Sequence, residues 1–311
     1  MKLSVLVASY NRPLDLERCL RGLHAQTRPA EEIIVVLRDT DLASQTKLAA
    51  VQAELKLPLR HLLVSKPGVL AANNLALPET KGELLSFIDD DACPEPAWLQ
   101  KIEAHFQANP KLGALGGRDR FAHPLMIEET ERSTKEVGRI RWYGKIVNYH
   151  HRRFEGVAPA DSLKGCNMTF RRSLISRCDE KLGGNACYYE LDLCFRVKKQ
   201  GFEILFDGNL LVDHYLSDSH LDRFRRGELH PDRVHNDYHN RARVLLGHLR
   251  GPRWWVAAGY WLVLEPNVAA LRFLRHRYPE PISCWKRAIQ GSWQGYLSLR
   301  ADKSTITSKS L

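Results

Sequence analysis

The chain has 311 residues, with 46 Lys and Arg against 36 Asp and Glu for a formal charge of +10, and 44% of its residues are hydrophobic. Charged residues make up 26% and no low-complexity tract is present. Whole-chain disorder, collagen and coiled coil are therefore excluded, and the length suits one large or two modest domains.

The apolar run at 3–8 (LSVLVA) follows a single Lys. It is shorter than a signal-peptide core of about 7 to 15 residues and predicts a first strand. The next segment, PLDLERCLRGLHAQT, has Pro13 in its opening turn, Asp15 and Glu17 near its start, and Leu16, Cys19, Leu20 and Leu23 on one face. That pattern predicts an amphipathic helix laid on a sheet.

Further strands are expected at 32–37, 59–64, 84–88 and 112–115, with helices at 42–56 and 96–108. Short apolar runs alternating with helical periodicity predict βα units around a mainly parallel sheet. From 118 to 163 the periodicity fades into Arg, His and aromatic residues, so irregular structure is expected there.

Order returns with GCNMTF and a helix at 190–200 that Gly201 stops, followed by two strands at 202–206 and 210–213. Beyond 215, basic residues outnumber acidic ones two to one, and a stretch of eleven uncharged residues, WWVAAGYWLVL, covers 254–264. A bilayer span needs about 20 residues, so a core helix or an interfacial helix is expected. The seven cysteines are scattered without a CxxC pair, which favours a reducing compartment such as the cytoplasm.

The most informative feature is ELLSFIDDDACPEP, where an apolar strand runs into Asp89, Asp90 and Asp91. Strand alternation sets Asp89 and Asp91 apart from Asp90. Three adjacent carboxylates call for a positive partner, and a hard divalent cation with oxygen ligands is the economical one. In an open α/β sheet ligands bind beyond the carboxyl ends of strands, where Ser9-Tyr10-Asn11 and Arg38-Asp39 also fall.

With SVLVASYNRP, LRGLHAQTRPAEEIIVV, KPGVLAANNLAL, FIDDD, GCNMTFRRSL and YYELDLCFRVKKQGFEILF in this order, residues 2–214 resemble glycosyltransferase family 2. The resemblance implies an α/β fold: a Rossmann-like, A-type nucleotide-diphospho-sugar transferase with a central mainly parallel sheet, carrying a helical C-terminal extension. The expected division is 1–117 for the nucleotide-sugar half, 118–214 for the acceptor and catalytic half, and 215–311 for the basic extension.

It further implies that Ala8, Ser9 and Tyr10 hold base and ribose, that Asp89 lies near ribose and phosphates, and that Asp91 coordinates Mn²⁺ or Mg²⁺. Arg12, Asp90, Gly68 and Asn73 complete the implied donor site, and His214 faces the metal or the diphosphate. Family members commonly carry an acid where Leu37 stands here; Asp39 substitutes from two residues on, or Arg38 pairs with the diphosphate. The family's Arg before Asn73 is Ala72 here. UDP is the default base.

Aligned through Asp192 and Arg196, Glu190 takes the position of the catalytic base, with Asp192 the alternative. An inverting transfer needs one carboxylate to take the proton of the acceptor hydroxyl. Gly183-Gly184 before it fit a mobile loop, and Lys164, Arg171 and Arg172 are candidate diphosphate neighbours. The expected acceptor is a glycan or a lipid-linked sugar, in cell-surface polysaccharide synthesis.

The tail interleaves Arg with aromatics in RFRRG, DYHNRARVLLGHLRGPRWW and LRFLRHRY. It contains no nucleic-acid motif and fits an anionic membrane surface, or else helices that bury Trp254, Trp255 and Trp261. The rival readings are a nucleotidyltransferase, which would need a glycine-rich loop that SYNRPLD lacks, and a non-catalytic sugar-nucleotide or membrane-surface module.

Overall fold

A computed structural model describes residues 1–216, 230–275 and 280–308. The chain divides into two compact units. One comprises Met1–Arg139, Val147–Cys178 and Leu193–Leu216; the other comprises Ile140–Ile146, Asp179–Asp192 and Ser217–Leu311.

The first unit is built on a nine-stranded, mainly parallel sheet. Its elements are β1 (Leu3–Ser9), α1 (Pro13–His24), β2 (Glu32–Arg38), α2 (Leu42–Leu55), β3 (Leu59–Val64), α3 (Val69–Ala76), β4 (Leu84–Asp89), β5 (Ala92–Pro94), α4 (Trp98–Ala108) and β6 (Leu112–Phe121). After the short helix α5 (Ile127–Glu131) and a two-stranded ribbon, β7 (Arg139–Ile140) with β8 (Ile146–Val147), come β9 (Val157–Pro159) and β10 (Met168–Arg171). Helix α6 (Tyr189–Lys199) straddles the division and β11 (Glu203–His214) closes the sheet.

The strand order is β3-β2-β1-β4-β10-β6-β11-β5, with β9 added on β11. Strand β1 pairs in parallel with β2 on one side and β4 on the other, and Ala8 lies opposite Asp89. The chain reverses its direction of growth there, which opens a crevice at the carboxyl ends of β1 and β4. Strand β10 is antiparallel to both β4 and β6, and β6 is parallel to β11, so the carboxyl ends of β4, β6 and β11 share one edge.

The core explains the sequence periodicity. Leu16, Cys19, Leu20 and Leu23 of α1 and Leu99, Ile102 and Phe106 of α4 share one buried cluster with Val5, Val7, Ile33 and Val35, α4 lying against β6 and β11. Each fully buried aliphatic side chain contributes about 1.5 to 3 kcal/mol relative to exposure.

Two strands were expected at 202–206 and 210–213; one continuous strand is found, with a register shift between Asp207 and Leu211. The bulge presses Leu210 onto β6. A Cβ on Gly117 would stand 2.0 Å from the Leu210 carbonyl oxygen, so only glycine allows the approach. Helix α4 begins at Trp98 rather than Pro96, and β6 runs on to Phe121 through polar residues that carry no strand pattern.

The second unit contains α7 (Pro231–His248), α8 (Gly251–Gly259), a π-helical turn at Tyr260–Leu264, α9 (Glu265–Arg275) and α10 (Pro281–Ser308). Gly291 and Gly295 let α10 close on α7: a Cβ on either would lie 2.3 and 2.2 Å from the carbonyl oxygens of His235 and His239. Trp261 is buried and donates to the Gly144 carbonyl, Trp254 donates to the Leu246 carbonyl, and Trp255 is exposed. RFRRG and the end of LRFLRHRY lie outside the described residues. Among the described residues no helix is long and apolar enough to cross a membrane.

Candidate functional site

The acidic cluster stands at the edge where the strands end. Strand β4 stops at Asp89 and the chain turns through Asp90 and Asp91 into β5. Because β5 pairs antiparallel with β11, Ala92 lies opposite His214, and the Tyr215 amide donates to the Asp91 carbonyl at 2.7 Å. This three-residue strand delivers an imidazole to the carboxylates.

The three acids have different surroundings. Asp90 accepts from the Ser9 hydroxyl at 2.7 Å, and Arg12 bridges Asp90 at 3.1 Å and Asp91 at 2.8 Å. Burial pushes the Asp90 carboxyl up to about 7, opposed by Arg12. Asp89, Asp91 and His214 each offer one ligand atom, all within 4.8 Å of one another. Burial and the charge of Asp91 hold the Asp89 carboxyl above the usual range, so a cation there would relieve crowded negative charge.

A second group, Asp119, Cys166 and His214, is equally close. Asp119 is fully buried at the end of β6 and accepts from the Lys164 ammonium. Burial disfavours charge on Asp119, but Lys164 and His214 outweigh it and hold its pKa below the usual range. Burial pushes the Cys166 thiol up to about 11. The Lys164 ammonium already on the carboxylate argues against a cation in this second group. Asp119 and Lys164 anchor one side of His214, while Asp91 faces the other at 3.2 Å.

The remaining donor-site candidates are spread over the strand ends. Tyr10 is exposed, with the Arg38 guanidinium over its ring at 5.7 Å, and Asp39 is exposed beside Arg38 at 3.8 Å. Leu37, where the family carries an acid, is a core residue. The buried acid of this loop is Asp41, which caps α2 through the Ser44 amide and accepts from the Asn11 amide at 2.6 Å. Gly68 caps α3 at φ +103°, and Asn73 is buried with no hydrogen-bond partner for its Nδ2 among the described residues.

Arg171 and Arg172 lie elsewhere. Arg171 donates to the Leu112, Phe106 and Asn109 carbonyls, and Arg172 to Thr80 and the Leu77 and Ile175 carbonyls. Both tie loops together.

In the second unit, Glu190 and Asp192 occupy the first turn of α6. Asp192 is buried, and its Oδ1 lies 2.7 Å from the His248 Nε2 on α7; Glu190 is half-buried. Gly183, in the glycine pair expected as a mobile loop, is hydrogen-bonded to α7. Asn240, buried on α7, accepts from the Gly183 amide and donates to the Gly183 and Cys187 carbonyls. The clamped loop lines a cavity of about 660 Å³ together with Arg233, Tyr238, Arg241 and Glu265. Arg241 is held there by Asp237 at 2.6 Å and lies over the rings of Tyr188, Tyr238 and Trp261.

Sequence reasoning missed Asp119 as a partner of His214, because RDR after a Gly-Gly pair has no strand signature. The same holds for β5, which is too short to show a period.

Among curated proteins, the chain is 26% identical to glycosyltransferase AglE of Haloferax volcanii over 39% of this chain and 40% of that one. It is 29% identical to validoxylamine A glucosyltransferase of Streptomyces hygroscopicus over 45% of this chain and 36% of that one. The matches thus span less than half of these relatives. Among solved structures, a Pyrobaculum calidifontis mannosyltransferase in complex with GDP-Man and Mn²⁺ superposes with TM-score 0.59 at 15% identity, over 94% of this chain and 86% of that one. Residues 1–349 of S. aureus TarS with UDP-GlcNAc give 0.58 at 15%, over 98% and 92%. These likenesses establish a shared fold. Residues 4–177, more than half of the chain, match the glycosyl transferase family 2, and the chain belongs to that family.

Proposed function

We propose that this glycosyltransferase is an inverting, cation-dependent enzyme that moves a sugar from a nucleoside diphosphate, with UDP the default, to a hydroxyl of a glycan or lipid-linked acceptor in surface polysaccharide synthesis. The observation that carries it is the convergence of Asp89, Asp91 and His214 within 4.8 Å at the sheet's carboxyl edge. Two carboxylates and an imidazole suit Mn²⁺ or Mg²⁺. A similar fold has been solved with GDP-Man and Mn²⁺, and another with UDP-GlcNAc.

A divalent cation held by Asp91 and His214 would act as a Lewis acid toward the departing diphosphate. On this reading Ala8, Ser9 and Tyr10 take the nucleoside, and Gly68 and Asn73 face the donor, the buried Asn73 amide supplying a donor in need of an acceptor. Arg12, which in the present arrangement neutralises Asp90 and Asp91, is free to turn to phosphate once a cation takes over that charge.

The general base is assigned to Glu190. Its carboxylate takes the proton of the acceptor hydroxyl as that oxygen bonds to the anomeric carbon, and the electron pair of the anomeric C–O bond leaves with the diphosphate. Asp192, whose Oδ1 lies 2.7 Å from the His248 Nε2, is the alternative base. The cavity beside the clamped loop offers Arg233 and Glu265 to an acceptor.

The test is thermal shift with UDP, dTDP, GDP and CDP, each with and without Mn²⁺. A shift that needs both nucleotide and metal, and that Asp91→Asn removes, supports the reading. No shift with any nucleotide overturns it.

A further inference from the structure

The segment from α8 through the π turn into α9 carries large apolar residues on its exposed side as well as its buried side. Trp261, Ala269 and Phe273 face inward and are buried. Trp255, Val263, Leu264, Leu271 and Leu274 face outward, with Trp255 73% and Leu271 67% exposed. The outward set recurs at helical spacing across the π turn at Tyr260–Leu264. Large apolar residues exposed together on one helical segment mark a missing partner.

Charge selects the partner. Between residues 250 and 275 the acidic residue is Glu265, which is buried and bonded to Arg272. The same stretch carries Arg250, Arg253, Arg272 and Arg275. A second copy meeting this face about a two-fold axis would set the arginines against each other. Anionic lipid satisfies both features: acyl chains cover the leucines, headgroups meet the arginines, and Trp255 suits the interface. From Val256 to Leu274 the face measures roughly 28 Å at about 1.5 Å per residue. Because the helices are not apolar enough to cross a membrane, they would lie in its plane.

We propose that the outward face from Trp255 to Leu274 docks the chain on an anionic bilayer surface. This deepens the lipid-linked side of the proposed function but does not depend on the transfer chemistry.

The test is flotation of the full chain with vesicles of phosphatidylcholine alone and of phosphatidylcholine with about one third phosphatidylglycerol. Flotation is expected with the anionic vesicles, falling with salt. Leu271→Glu combined with Leu274→Glu should abolish it, and Arg275→Gln should weaken it about fivefold, the equivalent of roughly 1 kcal/mol per basic residue. Both positions are exposed, so an unchanged melting temperature serves as the folding control. No flotation with anionic vesicles, or full flotation of the double variant, overturns the proposal; so does a dimer in sedimentation that the same double substitution dissociates. The nucleotide-induced thermal shift is read separately, so the two readings fail independently.

Discussion

His214 stands between two carboxylates, with its Nε2 3.2 Å from Asp91 and its Nδ1 3.4 Å from Asp119. Asp119 is fixed in turn by Lys164. If His214 holds the proposed cation, Asp119 is the outer carboxylate that sets the tautomer and orientation of its imidazole. Residues from the ends of β6 and β11, and from the turn before β5, build it together.

Asp119→Asn keeps the shape of the side chain but weakens its hold on the Nδ1 proton. Mn²⁺ affinity should fall about 10- to 100-fold, the usual cost of removing such a partner. Titration of Mn²⁺ followed by electron paramagnetic resonance reads this without turnover. Lys164→Met, which leaves the buried Asp119 with His214 alone to balance its charge, should instead lower the melting temperature. Unchanged Mn²⁺ affinity in Asp119→Asn would remove Asp119 from the site.

Glu190 and Asp192 separate in a pair of substitutions. Glu190→Gln should leave nucleotide binding intact and cut single-turnover transfer by about 10²- to 10⁴-fold, the range for loss of a general base. Asp192→Asn breaks a buried contact with His248 and should cost about 1 to 3 kcal/mol of stability. If Asp192→Asn abolishes transfer at full stability while Glu190→Gln remains active, the assignment of the base is reversed.

Asn240 tests whether the clamped loop matters. Its side chain satisfies three backbone groups, the Gly183 amide and the Gly183 and Cys187 carbonyls. Asn240→Ala should cost about 1 to 3 kcal/mol, seen in denaturant unfolding. Susceptibility of residues 183–187 to limited proteolysis should rise with it, and an unchanged digestion pattern would show that the loop is held by other contacts.

Much of this architecture is legible in the sequence, for physical reasons that also mark where reading stops. Helices α1 and α4 bury one face on the sheet, so Leu16, Leu20, Leu99 and Ile102 announce them by spacing. The acids at 89–91 follow an apolar run that can only be a buried strand. Strand β5 and the end of β6 are polar or short, and their pairing is set by β11 across the sheet, so no local pattern records them. The sequence does not mark Asp41, because capping geometry depends on where α2 begins, and Trp255 differs from Trp261 only by helix face.

His150 gives a pH dependence whose sign follows from its burial. Burial lowers its pKa from the usual 6.5 to about 4, and its Nε2 lies 3.0 Å from the Ser162 carbonyl, which the neutral ring can meet as a donor. In the unfolded chain the imidazole takes a proton near 6.5. Between about pH 6.5 and 4 the unfolded state therefore binds more protons than the folded state, and stability falls as pH falls through that window. The full effect is on the order of 3 kcal/mol, reached near pH 4. Denaturant unfolding at pH 7, 6 and 5 should show this loss, and His150→Gln, which retains a donor but cannot titrate, should flatten it. An equally steep loss in His150→Gln would assign the acid sensitivity to other groups.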